Sequence, residues 1–253
     1  MKLQGNTILI TGGSGGIGLA FAKRFVAGGN EVIITGRNAD KLAAAAKETP
    51  ALKTIRSDAG DAGAITALAA EVKEKYPKLN VLFNNAGVMQ FRNLAVAEDF
   101  ESLTTELDIN LAGPIRLVSA FVGLLKANKG TIINVSSGLA FVPLPAAPVY
   151  CATKAAMHSY TLSLREQLAD HGVEVIELMP PAVKTDLAAL PEEGVKVITT
   201  DVLVDATMKA LAKGQVEIRP GQANGLRFMN RMAPGFIHKQ LAKGSKGLIP
   251  TAE

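Results

Sequence analysis

Thr7-Ile8-Leu9-Ile10-Thr11-Gly12-Gly13-Ser14-Gly15-Gly16-Ile17-Gly18 decides the fold, because an apolar tetrapeptide runs into a glycine turn and then into the apolar-periodic stretch Leu19 to Val26. The tetrapeptide reads as a short buried strand and the periodic stretch as a helix. A strand, a glycine turn and a helix start make an anion site. The first N–H groups of a helix have no partner within it, and the helix dipole favours negative charge there. The glycines admit two parses: Gly13, Gly15 and Gly18 satisfy G-x-G-x-x-G, while Gly12, Gly16 and Gly18 satisfy G-x-x-x-G-x-G. The glycines alone do not choose.

The same alternation continues along the chain. Glu31–Thr35, 52–57, 81–84, 131–135, 174–178 and 216–219 read as six further strands with helical stretches between them. This predicts an α/β fold: a single Rossmann-like, doubly wound domain over residues 1–221, with a seven-stranded parallel sheet flanked by helices on both faces. Residues 222–253 form a C-terminal extension, expected to pack on the same domain or on a partner subunit. In such a sheet the ligand sits beyond the carboxyl ends of the strands, near the switch point beside strand one. Gly12 to Gly18 follow strand one, Arg37 strand two, Asp58 strand three, Asn84 to Gly87 strand four, Ser137 strand five and Pro180 to Thr185 strand six.

The second strand bears on which nucleotide is bound. Gly36-Arg37-Asn38 falls about twenty residues after the glycine loop, where a carboxylate would accept from a ribose 2′-OH and repel a 2′-phosphate. No carboxylate stands there. Arg37 offers a forked cation suited to phosphate and Asn38 a second donor, so NADP(H) is the expected cofactor, with NAD(H) possible.

Chemistry is suggested by Tyr150-Cys151-Ala152-Thr153-Lys154, with Ser137 thirteen residues before the tyrosine. If residues 148–171 form a helix, positions four apart share a face, so the phenol and the ammonium point at one spot. A carbonyl could be reduced there. Cys151, one residue along, is rotated by about 100° away from that face and is not expected to act as a nucleophile.

At this point the residues resemble the short-chain dehydrogenases/reductases, over about Lys2 to Gly221. The markers stand in order: Thr11 to Gly18, Asp58, Asn84-Asn85-Ala86-Gly87, Asn110, Ser137, Tyr150, Lys154 and Pro180-Pro181-Ala182-Val183-Lys184-Thr185. The resemblance selects the parse through Gly12, Gly16 and Gly18. It implies that Gly12, Ser14, Gly16, Ile17, Gly18, Arg37, Asn38, Asp58, Asn84, Ala86, Gly87, Tyr150, Lys154, Pro180, Val183 and Thr185 bind the cofactor, with Asp58 near the adenine. Tyr150 would be the general acid, Lys154 the cation that lowers its pKa, Ser137 the group that polarises the carbonyl, and Asn110 the holder of a relay water. Thr185 would clasp the carboxamide or cap the next helix. Pro180-Pro181 departs from the family's Pro-Gly, which implies a stiffer loop.

The substrate is less defined. Met89, Phe91, Leu139, Phe141, Val142, Pro143 and Leu144 are candidate walls, with 186–200 as a lid, and their apolar character points to a hydrophobic ketone or aldehyde, or the alcohol in reverse. Arg92 and Lys184 are placed near the same rim. His158, His171 and His238 are expected to pack or meet solvent, and no acid or cysteine cluster suggests a metal.

Composition excludes other classes. With 253 residues, 48% hydrophobic and 20% charged, the chain is long enough for a large core and unlike a disordered one. A single cysteine implies no oxidising compartment, and a cytoplasmic setting is expected. The net charge of +4 is too small and scattered for nucleic acid; only the extension leans basic. Its Leu226, Phe228, Met229, Met232, Phe236, Ile237 and Leu241 are expected against a subunit or the pocket ahead of a membrane surface, since Pro234-Gly235 breaks a long helix. Helices near 100–125 and 149–169 would pair between subunits in a homodimer or homotetramer, with Leu164 on the shared face. A non-catalytic NADP(H)-binding sensor or scaffold is the alternative function, disfavoured by the presence of both Tyr150 and Lys154.

Overall fold

Seven strands, β1 (Thr7–Ile10), β2 (Glu31–Gly36), β3 (Lys53–Arg56), β4 (Leu79–Asn84), β5 (Thr131–Val135), β6 (Glu174–Leu178) and β7 (Glu217–Ile218), form one sheet in the order β3-β2-β1-β4-β5-β6-β7. Every pairing is parallel. This computed structural model describes residues 1–187 and 197–251, so positions 188–196 of the expected lid lie outside the described residues. The order reverses at β1, which places the switch point beside the glycine loop.

Side-chain alternation along each strand feeds two cores. Ile8, Ile10, Val32, Ile34, Val81 and Phe83 pack with Phe21 and Phe25 of α1 (Gly16–Ala27), Leu42 of α2 (Ala39–Glu48) and Leu203 and Leu211 of α7 (Thr200–Ala212). Leu9, Ile33, Leu82, Ile132 and Val175 face the other way, against Leu68 and Val72 of α3 (Ala62–Lys75), Leu117 and Phe121 of α5 (Gly113–Ala127) and Leu164 of α6 (Pro148–Leu168). Leu164 therefore belongs to the core rather than to a shared subunit face; Leu162 is the exposed neighbour.

One helical run extends from α4 (Phe100–Leu107) through a π-helical turn (Asp108–Ala112) into α5. Its length and hydropathy match a membrane span, but Leu117, Val118, Phe121 and Leu125 are buried in the second core. One face of the run thus belongs to the core. The π-turn carries Asn110, and such insertions re-aim side chains at functional sites.

β7 is only two residues long, shorter than the four expected, because it is an edge strand paired on one side and Arg219 folds back onto Glu217. The extension forms α8 (Gln222–Met232) and α9 (Pro234–Ser245), broken at Ala233 before Pro234. A Cβ on Gly138 would sit 3.3 Å from Ala223 Cα and from Leu226 Cδ1, so α8 lies on the turn that follows β5. Asn93 Nδ2 donates to the Pro250 carbonyl at 3.0 Å, tying the far end of the extension to the segment after β4.

Candidate active site

β5 delivers Ser136 and Ser137 to the carboxyl edge of the sheet. The turn is pinned by the Leu178 carbonyl accepting from Ser136 N–H (2.9 Å) and the Pro180 carbonyl accepting from Gly138 N–H (3.0 Å). Ser137 opens a short 3₁₀ turn, Gly138–Ala140, its Oγ accepting from Leu139 N–H at 3.1 Å. Opposite stands the first turn of α6, where Pro148 supplies a helix start that needs no N–H. Tyr150 and Lys154 leave that helix one turn apart, and the Tyr150 phenol lies close enough to Ser137 to feel its hydroxyl. Lys154 Nζ donates to the Val135 carbonyl at 2.9 Å and stands 5.5 Å from the centre of the Tyr150 ring. Ser137, Tyr150, Lys154 and Asn110 are all buried.

Burial sets the electrostatics. It pushes the Tyr150 phenol well above its ordinary value, with the Ser137 hydrogen bond pulling partly back. It also lowers Lys154 from 10.5 to about 8. In the chain by itself burial dominates at Tyr150, and Lys154 donates to a backbone carbonyl. A phenol held protonated is the form that a proton donor needs.

Asn110 ties two elements of the site together. Its Oδ1 accepts from Val88 N–H at 2.8 Å, while its Nδ2 donates to the Val88 carbonyl at 2.8 Å and to Thr153 Oγ1 at 3.2 Å. The amide holds the segment after β4 against α6. A Cβ on Gly87 would lie 3.3 Å from Asn110 Oδ1 and 3.7 Å from Lys154 Nζ, which puts Gly87 on the floor of the same site.

The glycine loop is a cradle defined by missing side chains. Gly12 has φ +64°, and a Cβ there would sit 2.8 Å from Ala86 Cα; one on Gly18 would sit 2.5 Å from the Gly12 carbonyl oxygen. Thr11 Oγ1 accepts from the N–H groups of Asn85 and Ala86, each at 3.1 Å, and Asn85 Nδ2 donates to the Thr11 carbonyl at 2.9 Å. These bonds clamp the ends of β1 and β4 together. Thr11 and Asn85 stand in the sequence motifs, but their clamping role needs the β1–β4 pairing to become visible. Thr185 closes in from β6, its Cγ2 3.3 Å from where a Gly16 Cβ would be, and its Oγ1 accepts from Leu187 N–H at 3.3 Å. Thr199, not Thr185, caps α7. Val183 bridges to Ile198 in the same loop.

At the far end of the cradle, a Cβ on Gly36 would meet Ser14 Oγ at 2.9 Å, so no larger residue fits between β2 and the loop. Arg37 is exposed there, and its carbonyl accepts from Arg56 Nε at 3.1 Å. Arg56, reading as an ordinary strand residue in sequence, adds a second cation through the Gly36–Arg56 register. Asn38 Oδ1 caps α2 by accepting from Lys41 N–H. Asp58 accepts from Gly60 N–H within its own turn, while Asp61 caps α3. Asn84 faces away from the cradle into the sheet: its Nδ2 donates to Asn134 Oδ1 at 2.9 Å, and Asn134 in turn donates to Thr161.

Met89, Phe91, Leu139 and Leu144 gather around Tyr150, Ala147 and Cys151 as an apolar wall. Phe141 departs from them, its ring edge-on to His158 at 5.1 Å and 5.6 Å from the Arg227 guanidinium. Cys151 is structural: its Sγ accepts from Leu144 N–H at 3.2 Å, and burial raises its pKa. Arg92 is not on the rim. It is buried against Glu106, Glu98, Gln90 and Ser102, and burial raises the Glu106 carboxyl while Arg92 opposes the rise. Lys184 lies on the opposite side, lining a cleft with Gly16, Lys23 and Arg24. His158 packs against Phe141 and stays partly exposed; its Nδ1 lies 2.8 Å from Glu177 Oε2, and Ser136 Oγ donates to Glu177 Oε1 at 2.5 Å. Among the described residues there is no group of three His, Cys, Asp or Glu able to hold a metal ion.

A doubly wound parallel sheet, a side-chain-free cradle at its switch point, and a buried serine, tyrosine and lysine beyond β5 define a nucleotide-binding oxidoreductase. The profile of the short chain dehydrogenase family matches residues 6–213, and the chain belongs to that family. It is 42% identical over 249 residues to an uncharacterized oxidoreductase, DltE, of Bacillus subtilis, covering 95% of this chain and 98% of that one. A NADPH-dependent 1-acyldihydroxyacetone phosphate reductase of Schizosaccharomyces pombe is 36% identical over 186 residues, 73% of this chain and 62% of that one. Among solved structures, a short chain dehydrogenase from Burkholderia cenocepacia in complex with NADP superimposes with a TM-score of 0.84 at 27% identity, covering 95% of this chain and 99% of that one.

Proposed function

We propose that the protein is an NADP(H)-dependent reductase of hydrophobic ketones and aldehydes, reversible toward the alcohols, with Tyr150 as general acid. The observation that carries this reading is the burial of Tyr150 with Ser137 and Lys154 beside the apolar wall of Met89, Phe91, Leu139 and Leu144. The loop Gly12 to Gly18 would hold the pyrophosphate against the start of α1, and Arg37, with Arg56 beside it, would hold a 2′-phosphate. The NADPH-dependent relative and the NADP-bound neighbour support that preference, and NAD(H) remains a permitted second cofactor. The dinucleotide supplies the hydride when bound.

The chain's own residues handle the proton. Ser137 donates a hydrogen bond to the carbonyl oxygen, and Tyr150 transfers its proton to that oxygen as negative charge builds on it. Lys154, charged below about pH 8, stabilises the phenolate left behind. Asn110 would hold the water through which the proton is replenished from solvent. Assembly follows the exposed apolar residues Phe100, Leu107, Ile115 and Leu162 on α4, α5 and α6, which suit a homodimer or homotetramer.

Carbonyl-dependent loss of NADPH absorbance with aryl ketones and aldehydes tests the reading. Turnover with NADPH that exceeds turnover with NADH agrees with it. Tight NADPH binding with no turnover across a broad carbonyl and alcohol panel would favour a binding protein.

A further inference from the structure

The C-terminal extension differs from the rest of the chain in charge. Of 27 lysines and arginines and 23 acids, residues 222–253 hold five cations and one acid, Glu253, so the first 221 residues carry 22 of each and are neutral overall. The whole net charge resides in α8, α9 and the turn after them. Arg227 is turned inward, onto Glu217 at 3.0 Å and the Phe141 ring. Arg231, Lys239, Lys243 and Lys246 are exposed and make no ion pair among the described residues.

Between those cations stand large apolar side chains in water. Phe228 and Met232, one turn apart on the face of α8 opposite buried Ala223, are 62% and 67% exposed, and Phe236 on α9 is 56% exposed. Helical spacing sets Phe236 on the same face as Lys239 and Lys243, three and seven residues on. The inner face of the extension is covered within the chain, through Ala223 and half-buried Leu226, Met229, Ile237 and Leu241, whereas these three are not covered by the chain itself.

We propose that this face docks the protein on an anionic lipid surface. Phe228, Met232 and Phe236 would enter the headgroup boundary, with Arg231, Lys239 and Lys243 on the phosphates. A second copy of the chain fits poorly, since pairing the patch with itself sets the same cations against one another. Two short helices broken at Ala233 with protruding apolar groups need no shape-matched partner, and a bilayer has none to offer. The docking element also borders the catalytic turn, since α8 rests on the residues after Ser137.

Co-sedimentation of the full chain with phosphatidylcholine vesicles, with and without phosphatidylglycerol, tests the proposal. Each basic side chain near an anionic surface strengthens binding roughly fivefold. Binding to the anionic vesicles should therefore exceed binding to neutral ones by about 100-fold at low salt, and fall as salt rises. The triple variant Phe228→Ser, Met232→Ser, Phe236→Ser and the charge reversal Arg231→Glu, Lys239→Glu, Lys243→Glu should each abolish it, leaving melting temperature and NADPH affinity unchanged. Absence of binding by the wild type, equal binding to both vesicles, or binding indifferent to either variant overturns the proposal. So does a lipid-independent fall in molar mass by light scattering in the serine variant, which would assign the patch to a second copy.

Discussion

The loop after β1 and the turn after β5 lie at the same edge of one sheet, yet they are built in opposite ways. The first is specified by atoms that are missing: a single methyl group on Gly12 or Gly18 would run into backbone at 2.8 Å or 2.5 Å. The second is specified by polar atoms that are present and buried, Ser137, Tyr150 and Lys154, whose protonation is shifted by loss of water. Close approach to a large anion needs exposed N–H groups and space, whereas proton transfer needs a donor held in a dry, preorganised place. Substitutions should therefore separate the two regions cleanly.

The largest separation is expected from Gly12→Val. A β-branched residue at φ +64° against Ala86 should destabilise the fold by about 2–4 kcal/mol and remove NADPH binding, read by thermal melting and fluorescence titration. Ser137→Ala should do the reverse, lowering kcat about 10²–10³-fold with NADPH affinity intact. A Ser137→Ala protein that lost cofactor affinity equally would break the distinction. Arg37→Ala should weaken NADPH binding about 10–100-fold and leave NADH untouched, since one charge-assisted contact contributes about 1.5–3 kcal/mol.

Lys154 gives the smallest and most unusual effect. Its pKa is depressed on folding, from 10.5 to about 8, so below pH 8 it is charged in both states and its burial opposes folding in full. As pH rises from about 8 to 10.5 the folded protein releases the proton first, and the opposition fades. Lys154→Met should thus be more stable than the wild type by about 1–3 kcal/mol at neutral pH, allowing for the lost bond to the Val135 carbonyl. The difference should shrink across that window in urea titrations. Carbonyl reduction by the wild type should also decline above about pH 8.

Much of this was readable before any coordinates, for a physical reason. The strand alternation, the glycine loop and the i, i+4 pair of Tyr150 and Lys154 are local, and each expresses its geometry within a few residues. Contacts set by topology were not readable. The Ser136–Glu177–His158 cluster joins α6, β6 and the end of β5, and Arg92 finds Glu106 only because α4 folds back over the segment after β4. Asn110 was legible as a site residue, but the bonds by which its amide, carried on a π-turn, holds Val88 were not. Phe141, apolar like its neighbours, turns to His158 instead of the pocket wall, a choice made by where α8 places Arg227. The periodicity of the extension revealed its inner face and left open what meets the outer one.

The central claim is that Tyr150 supplies the proton at a site separable from the cofactor cradle. Its most direct test is Tyr150→Phe, with NADPH affinity and carbonyl-dependent NADPH oxidation measured side by side. Loss of turnover by about 10²–10⁴-fold at unchanged NADPH affinity is the predicted result. Turnover retained in Tyr150→Phe, with affinity intact, would contradict it.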